Sequence, residues 1–508
     1  MAVKIGSASF NGIDGICVTV EVDITHGLPA FNIVGLADIS VKESKERVRS
    51  AIINSGFEFP SKRITINLAP ADIKKIGSLF DLPIAIGILL ATNQINFYDI
   101  RKYIIIGELS LNGELKKVRG ALSVVMEGCS SGIYNYIVPY DNSYECSVLK
   151  DADVFSFSSL RELTHCICYN DWEKHLHDKK IIMPENKKYS IDFSDVIGQE
   201  SCKRAIEVAA AGGHNLIMTG PPGCGKSMLA ERIPSILPSM SFEESLEVTK
   251  IYSVSGNLAE KEGLITERPF RSPHHTASKI ALVGGGINLQ PGEVSFAHNG
   301  VLFLDEILEF KKSVLEVLRQ PLENRNIKIS KASGTVTYPC SIMLVGALNP
   351  CPCGNYGSER PCTCTEYERS NYIKKLSGAI LDRIDIFSYV KSLTCDELES
   401  KNKSENSAAI KKRIEKARMI QKTRFKEENI NCNSEMSSEH IKKYCRLDSK
   451  TKSIIMKIYS TYHLSTRAYS KILKVARTIA DLEDSTDINE CHVIEAANYR
   501  KFIDERII

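Results

Sequence analysis

Residues 220–227 have the types and spacing of a loop that binds nucleotide phosphates. The segment beginning at Asn215 has the sequence NLIMTGPPGCGKSML, in which an apolar run predicts a buried strand and the residues after Lys226 predict a helix. Glycines in the loop permit backbone angles that turn successive N–H groups inward, and the helix N-terminus adds to this anion site. We expect Lys226 to reach the β- and γ-phosphates of ATP and the Ser227 hydroxyl to hold Mg²⁺. The predicted nucleotide contacts in the loop are Gly220, Pro221, Pro222, Gly223, Cys224, Gly225, Lys226, Ser227 and Met228.

Two acidic residues follow a second apolar strand further along the chain. The segment Gly300–Glu306, GVLFLDE, predicts a short buried strand that ends in two carboxylates. Asp305 is placed to coordinate Mg²⁺ through Ser227 and water, and Glu306 is placed to polarise a water for attack on the γ-phosphate. A phosphate loop followed by such a strand predicts a nucleotide hydrolase.

A third strand predicts a polar side chain beside the same phosphates. The apolar run Ile342–Leu348 ends at Asn349. An amide at this strand end can hydrogen-bond the γ-phosphate or the attacking water. The alternative for Asn349 is an ordinary turn, because Asn-Pro commonly starts one.

Four cysteines follow at once in the spacing C-x-C-x8-C-x-C. They are Cys351, Cys353, Cys362 and Cys364. Four close thiols can form a tetrahedral site, which suits a structural Zn²⁺, whereas the alternative is a loop of thiols without a metal. The rest of the sixteen cysteines are scattered, so we expect reduced thiols and no disulfide framework.

Composition describes an ordinary globular chain of 508 residues with 43% hydrophobic and 25% charged residues. A net charge of +3 excludes a bulk polycation, so any contact with nucleic acid would come from local patches. The start of the chain lacks the features of an export signal, and the apolar run Leu82–Ala91 is too short to span a bilayer. These features predict a cytoplasmic protein without a membrane partner.

The sequence pattern predicts a fold of the α/β class and divides the chain into four stretches. Strand and helix alternate through residues 1–164, and a polar stretch at 165–190 predicts a linker. Residues 191–392 contain the phosphate loop, the acidic strand end and the cysteine cluster. Residues 393–508 predict a helical lid. Its basic run Lys411–Lys426 predicts a solvated helix face, with contact to DNA as the alternative.

The first of these stretches resembles a known domain. The segments NLAPADIKKIGSLFDLPIAIGIL and GELSLNGELKKVRGAL resemble the Lon-protease-like N-terminal domain of the ComM/YifB family of magnesium-chelatase-like AAA+ ATPases. The resemblance implies an S5-like α/β fold for this domain, a central AAA+ domain with a helix-2 insert, and a helical lid. Phe80 or Asp81 stands near the position of the Lon serine and Leu122 near that of the lysine, so we expect no proteolysis. Ser78 with Lys116 or Lys117 is the substitute dyad to test.

The same resemblance implies roles for residues outside the loop. Val196 and Ile197, in IDFSDVIGQE, would line the adenine pocket. Arg383, in SGAILDRIDIF, would be an arginine finger that enters the site of a neighbouring subunit, unless Asp382 or Asp385 holds it. Arg467 would be the sensor-2 residue that contacts the nucleotide.

Two features of the region between the phosphate loop and the acidic strand also follow from the resemblance. The segment Arg268–Gly286 matches the helix-2 insert and is a candidate pore loop. Its adjacent histidines, His274 and His275, have no carboxylate or thiol nearby in the sequence, so we interpret them as structural rather than metal-binding.

An arginine finger supplied by a neighbour implies a ring of identical subunits, most simply a hexamer. The family resemblance further implies an ATP-driven motor that acts on DNA and promotes branch migration during recombination in natural transformation. The alternatives are a magnesium-chelatase-like ATPase subunit, a protein-remodelling AAA+ ATPase, a Lon-like protease and an adaptor that only binds nucleotide.

Overall fold

The computed structural model of the chain describes residues 2–36, 38–75, 77–179, 190–259, 261–331, 334–357, 360–394, 397, 404–428 and 430–504. The described chain forms two compact units, each built from several stretches of sequence. Unit 1 comprises residues 1–184, 242–266 and 330–338, and unit 2 comprises residues 185–241, 267–329 and 339–508. Within the described residues, no helix combines the length and the apolar character needed to cross a lipid bilayer.

The described residues up to 179 alternate between strands and helices, as the sequence predicts. The strands are β1 (Val3–Asn11), β2 (Asp14–Thr25), β3 (Ala30–Val34), β4 (Arg63–Ala69), β5 (Tyr103–Ile105), β6 (Glu108–Leu109), β7 (Leu115–Lys116), β8 (Asn135–Pro139) and β9 (Asp153–Phe157). The helices are α1 (Ile39–Asn54), α2 (Asp81–Ala91), α3 (Ala121–Ser130), α4 (Ser143–Cys146) and α5 (Leu160–Tyr169).

The described residues from 190 onward add further strands and then a mainly helical end. The strands are β10 (Leu216–Thr219), β11 (Phe270–Arg271), β12 (Gly284–Gly285), β13 (Gln290–Pro291), β14 (Val301–Leu304), β15 (Asn326–Lys331), β16 (Gly334–Pro339), β17 (Met343–Leu348) and β18 (Ile386–Tyr389). Helices before β18 are α6 (Glu200–Gly212), α7 (Lys226–Ile236), α8 (Phe242–Ser255), α9 (Lys279–Val283), α10 (Glu293–Phe296), α11 (Lys312–Leu315), α12 (Arg319–Asn324), α13 (Glu366–Ile373) and α14 (Gly378–Leu381). Those after it are α15 (Ser407–Arg424), α16 (Ser438–Tyr444), α17 (Ser449–Thr461), α18 (Thr466–Leu482) and α19 (Glu490–Asp504).

Unit 1 is built around a mixed seven-stranded sheet with the order β3-β4-β2-β1-β5-β8-β9. Helix α2 is apolar around most of its circumference, and almost all of its residues are buried in the core of unit 1, as expected for such a helix. Gly87 lets this helix approach the sheet, since a Cβ at that position would lie 2.4 Å from Val22 Cγ2. The alternating apolar residues of β2 therefore pack directly beneath α2.

Unit 1 also includes α8, although this helix follows the phosphate-loop helix in sequence. Leu246 of α8 is buried in a cluster with Leu122 and Val148. The backbone N–H of Gly120 donates to Ser253 O at 3.1 Å, and Lys117 Nζ donates to Leu258 O at the same distance. Apolar packing and hydrogen bonds thus fix α8 in unit 1.

The predicted linker at 165–190 requires correction, because its first part is structured. Helix α5 continues to Tyr169, and the Trp172 ring stacks on Phe97 and Tyr103 with centroids 5.3 Å apart in both cases. Aromatic stacking of this kind anchors the segment in the core of unit 1. Residues 180–189 lie outside the described residues.

Unit 2 contains a five-stranded sheet with the order β11-β14-β17-β10-β18, and each neighbouring pair is parallel. All residues of β10, β14 and β17 are buried, which explains their continuous apolar sequences. The carboxyl ends of parallel strands meet at one edge of a sheet, where ligands usually bind. This edge carries the residues that follow Thr219, Leu304 and Leu348.

The packing of α8 predicts that Leu246→Ala destabilises unit 1 by about 2–4 kcal/mol, because it removes buried methyl groups and leaves a cavity. Urea unfolding followed by the fluorescence of Trp172, the single tryptophan, measures this unit selectively. Leu28→Ala is the matched control, since Leu28 is 88% exposed in the same unit. Equal unfolding midpoints for the two variants would contradict the placement of α8.

Candidate active site

The loop after β10 has the backbone geometry of a phosphate-binding loop. Gly223 and Gly225 adopt φ angles of 78° and 94°, which residues with a Cβ rarely adopt. Gly220 is needed for close approach, because a Cβ there would lie 2.2 Å from Val390 O. Helix α7 begins directly after the loop at Lys226, so its free N–H groups face the same concave site.

Lys226 lies inside this loop and contacts the predicted sensor residue. Its Nζ donates to Gly220 O at 2.7 Å, to Pro221 O at 2.9 Å and to Asn349 Oδ1 at 3.1 Å. Burial lowers the pKa of Lys226 from its ordinary value. A buried cation whose closest partners are neutral oxygens favours binding of an anion such as a phosphate.

Ser227 and Asp305 form the oxygen pair that the sequence predicts for Mg²⁺. Ser227 Oγ donates to Asp305 Oδ2 at 2.7 Å, and the Glu306 N–H donates to Asp305 Oδ1 at 2.9 Å. A hydroxyl and a carboxylate at the end of neighbouring elements fit the oxygen ligands that Mg²⁺ prefers. Together with Asn349 and the loop, these residues line a cleft of about 330 Å³.

Glu306 has two features that its sequence position did not indicate. Its φ angle is 47°, a left-handed conformation that non-glycine residues adopt mainly at functional or strained positions. Its Oε2 lies 3.9 Å from Nδ1 of His275, and the ring centroids of His274 and His275 are 4.0 Å apart. The pairing of β11 with β14 carries the histidine segment to this strand end, so the structure places His275 beside a carboxylate that is distant in sequence.

The four predicted cysteine ligands lie together immediately after Asn349. Cys351 Sγ lies 3.3 Å from Cys353 Sγ and 3.7 Å from Cys362 Sγ, and the latter two atoms are 3.6 Å apart. All four sulfur atoms, including that of Cys364, lie within 4.8 Å of one another. Zinc–sulfur bonds of about 2.3 Å in a tetrahedron require sulfur separations of about 3.8 Å, so the donor set fits zinc.

Comparison with known proteins places the chain in a family. Residues 192–398 match the family described as magnesium chelatase, subunit ChlI, residues 20–142 match subunit ChlI of Mg-chelatase, and residues 404–500 match the ChlI C-terminal region. The chain is 43% identical over 493 residues to the uncharacterized protein YifB of Escherichia coli strain K12, covering 96% of this chain and 95% of YifB. It is 39% identical over 508 residues to competence protein ComM of Haemophilus influenzae, covering 99% of this chain and 98% of ComM. The chain belongs to the ComM/YifB family of magnesium-chelatase-like AAA+ proteins.

Membership of the ComM/YifB family confirms the predicted α/β class, with a Lon-protease-like N-terminal domain, an AAA+ domain with its helix-2 insert and a helical C-terminal region. A further relative is Lon protease 2 of Bacillus subtilis, which is 28% identical over 148 residues, or 28% of this chain and 26% of that protein. As an AAA+ family, ComM/YifB implies ATP and Mg²⁺ as cofactors and an oligomeric assembly.

The segment predicted to line the adenine pocket is anchored to the phosphate-loop helix. Arg232 of α7 donates through Nε to Asp192 O at 2.8 Å and through Nη2 to Asp195 Oδ2 at 3.1 Å. Val196, which follows directly, is buried, and Ile197 is partly buried. The structure thus brings the two predicted residues close to α7, and their contact with adenine stays a prediction.

Arg383 differs from the free arginine finger that the family resemblance implies. Its guanidinium is buried, forms an ion pair with Glu323 and donates to Ala379 O. The two acids predicted as alternative partners are engaged elsewhere, since Asp382 pairs with Arg467 at 3.3 Å and Asp385 pairs with Lys471 at 2.8 Å. A role in a neighbouring subunit therefore requires Arg383 to leave Glu323.

Arg467 stands at the first turn of α18, and 65% of its side chain is exposed. The contact to Asp382 directs it toward the segment that carries Arg383. Neither arginine is among the described residues that line the phosphate-loop cleft. The sensor-2 role of Arg467 is therefore a prediction that depends on movement of the lid.

The substitute protease dyad is not formed. Ser78 Oγ donates to the Glu108 carboxylate, Lys116 pairs with Glu114 at 2.7 Å, and Lys117 donates to Leu258 O. Each of these three described residues thus has another partner, and neither lysine is bonded to Ser78. At the degenerate Lon position, buried Asp81 pairs with Arg47 at 2.7 Å, which is a structural rather than a nucleophilic arrangement.

The contact to Glu306 predicts a kinetic effect for His275→Ala. Loss of the imidazole leaves the Glu306 carboxylate without this neighbour, so we expect kcat for ATP hydrolysis to fall about tenfold through misplacement of the water-polarising group. The Kd for ATP should stay within about twofold, because His275 faces Glu306 rather than the phosphate loop. His274→Ala is the matched control, and an equal loss of kcat in both variants would contradict a specific role for His275.

Proposed function

We propose that this chain is an ATP-hydrolysing AAA+ ring motor that acts on DNA and promotes branch migration during recombination in natural transformation. The observation that carries the ATPase part is the convergence of Lys226, Ser227, Asp305, Glu306 and Asn349 at one cleft. A buried cation, a magnesium-type oxygen pair, a carboxylate and an amide are the groups that nucleotide hydrolysis uses.

Each residue has a separate task in the proposed reaction. Lys226 binds the β- and γ-phosphates, and Ser227 and Asp305 hold Mg²⁺, which neutralises charge on the phosphate oxygens when bound. Glu306 orients and polarises the attacking water, and Asn349 donates its amide hydrogen to the γ-phosphate or to that water. Asp305, Glu306 and Asn349 follow strands β14 and β17, and Lys226 and Ser227 begin helix α7, so regular elements position all five groups.

A homo-oligomeric ring, most simply a hexamer, completes the proposed site. Glu306 and Asn349 also line a second cleft of about 650 Å³ that contains the carboxylates of Glu309 and Glu368. The cleft is also lined by Lys375, which lies 3.6 Å from Glu309, but its three carboxylates outnumber this cation, so it suits a guanidinium from a neighbour. Arg383 is the candidate donor, and it must leave its half-exposed partner Glu323 and its buried position to enter a neighbouring subunit.

Support for DNA as the substrate comes from similarity to a protein named a competence protein. Part of the basic run on helix α15 is neutralised, because Arg413 pairs with Glu207 at 2.6 Å, Lys416 pairs with Asp484 at 2.8 Å and Arg424 pairs with Asp481. We therefore assign DNA contact to the insert that follows β11, where Lys279 stands at the start of α9.

A second candidate function is remodelling of a protein substrate. Ile287, between β12 and β13, is 93% exposed, and Ile280 in α9 is 58% exposed. Exposed apolar side chains in one insert suit a grip on an unfolded peptide.

We also propose that Cys351, Cys353, Cys362 and Cys364 hold a structural Zn²⁺. Support comes from the sulfur separations. Backbone N–H groups of Asn355 and Thr363 lower the pKa of Cys353, whereas burial raises the pKa of Cys351, so Cys353 ionises more readily of the two. A readily formed thiolate is the form that zinc binds.

The first experiment is ATP turnover by the purified chain, alone and with single-stranded, duplex and four-way-junction DNA at one fixed salt concentration. We expect stimulation that is strongest with the junction. Glu306→Gln should bind ATP and lose turnover, which separates the intrinsic activity from a contaminating ATPase. Turnover that no DNA affects, with stimulation by an unfolded protein, would favour the remodelling function instead.

The zinc proposal predicts one metal ion per chain by elemental analysis of protein purified without added metal. Cys353→Ser should reduce the zinc content to near zero and lower the thermal unfolding midpoint. Cys168→Ser is the control for a general thiol effect, because Cys168 is exposed, lies in α5 and is not part of a cluster of metal-ligand side chains among the described residues. Wild-type protein without any metal would refute the proposal.

A further inference from the structure

The cysteine loop lies directly against the phosphate loop. A Cβ at Gly354 would lie 2.6 Å from Cδ and 3.1 Å from Cγ of Pro222. The two loops are therefore in van der Waals contact at this point, and only glycine fits between them. Pro222 is one of the residues that line the phosphate-loop cleft.

Two other contacts fix the cysteine loop to the same edge of the sheet. Its first cysteine follows Asn349 by two residues, so one end is attached to the sensor strand β17. The Tyr389 hydroxyl donates to Gly357 O at 3.0 Å, and Tyr389 pairs in register with Thr219, the last residue of β10. The loop thus touches the phosphate loop while being anchored to the strands on both sides of β10.

The internal order of this loop depends on its cysteines. The described residues 350–357 and 360–365 contain neither helix nor strand, so a backbone ladder does not hold them. Their order comes instead from the converging sulfur atoms and from a few side-chain contacts, such as Arg369 over the Tyr356 ring at 4.3 Å. A metal that crosslinks four points of such a segment removes most of its conformational freedom.

We propose that the metal-bound cysteine loop is a brace for the phosphate loop, so that ATP affinity depends on the metal through the contact between Gly354 and Pro222. This inference rests on the nucleotide and zinc binding proposed above, and adds that the two sites are coupled. Loss of the metal releases Gly354 from Pro222, and the phosphate loop then opens at the residue that begins its tight turn.

Gly354→Ala tests the contact without changing a cysteine. The added methyl group collides with Pro222, so we expect the Kd for a fluorescent ATP analogue to rise about tenfold while zinc content stays at one per chain. Gly357→Ala is the matched control. Its φ of 78° is nearly the same as the 79° of Gly354, so the backbone strain is equal, but its nearest neighbour is the Tyr389 hydroxyl at 3.4 Å.

A double variant localises the effect to this pair of residues. Pro222→Ala removes the ring atoms that the new methyl group meets, so Gly354→Ala should cost little further affinity in that background. Removal of zinc from the wild type with a chelator should weaken ATP binding by a similar factor, and Zn²⁺ should restore it. A normal thermal unfolding transition by far-UV circular dichroism, which reports on both units, and retained zinc show that the variants are folded.

The outcomes separate this inference from the proposed function. Equal Kd values for Gly354→Ala and the wild type, equal losses in both glycine variants, or unchanged ATP affinity after removal of zinc would each overturn the brace. Wild-type protein that binds ATP and shows these couplings but never hydrolyses it would refute the motor and leave the brace standing.

Discussion

The register of three parallel strands depends on Asn215. This residue precedes β10, and its side chain accepts from the Leu344 N–H at 2.8 Å and donates to Arg383 O at 2.9 Å. Its backbone O accepts the N–H groups of Asp385 and Ile386, both at 3.1 Å. These bonds set where β10, β17 and β18 start relative to one another. A shift of one strand by one residue would turn each of its side chains to the other face of the sheet. The bonds of Asn215 therefore also determine which residue stands at the carboxyl end of each strand.

The other support of this sheet is a buried charge cluster at the start of β18. Burial favours a neutral Asp385, but Lys471 at 2.8 Å and His214 hold its pKa well below the usual range. Lys471 also donates to Ile384 O, and Arg500 of α19 donates to the same oxygen at 2.8 Å. The helical C-terminal region is therefore attached to the strand next to β10. This attachment gives a physical route by which changes in the nucleotide site reach the helices.

Local sequence signals sufficed to predict most of the residues that lie together at the phosphate-loop cleft, and their roles there stay predictions. The phosphate loop and the acidic strand end each lie within a few consecutive residues, and Asn349 follows from the rule that parallel strands end at a common edge. The contacts of His275 to Glu306 and of Arg383 to Glu323 join residues that are distant in the chain. Their side chains carry no periodicity or composition that would identify such partners, so these contacts could not be predicted.

For the domain boundaries, too, features set by neighbouring residues were predictable, and features set by contacts between distant residues were not. The alternation of strands and helices in the N-terminal part was predicted correctly, because each element has its own apolar period. The predicted linker begins at a residue that is still part of the folded unit. The residues around Trp172 are polar, so the sequence did not indicate that the Trp172 ring packs in the core. The place of α8 in unit 1 depends on the partner of its apolar face, and a single sequence does not indicate which surface covers that face.

The composition of unit 1 from three separate stretches has a consequence for synthesis of the chain on the ribosome. The last of these stretches ends at residue 338, so the unit cannot bury its whole surface when the first 184 residues have emerged. By the time residue 338 has been made, the phosphate loop and the acidic strand end also exist. Domains that are continuous in sequence can fold one after another during translation. Here unit 1 cannot complete folding until residues 185–241 and 267–329 of unit 2 have also been made, and nascent unit 1 exposes the surface around Leu122 and Val148 until α8 has been made.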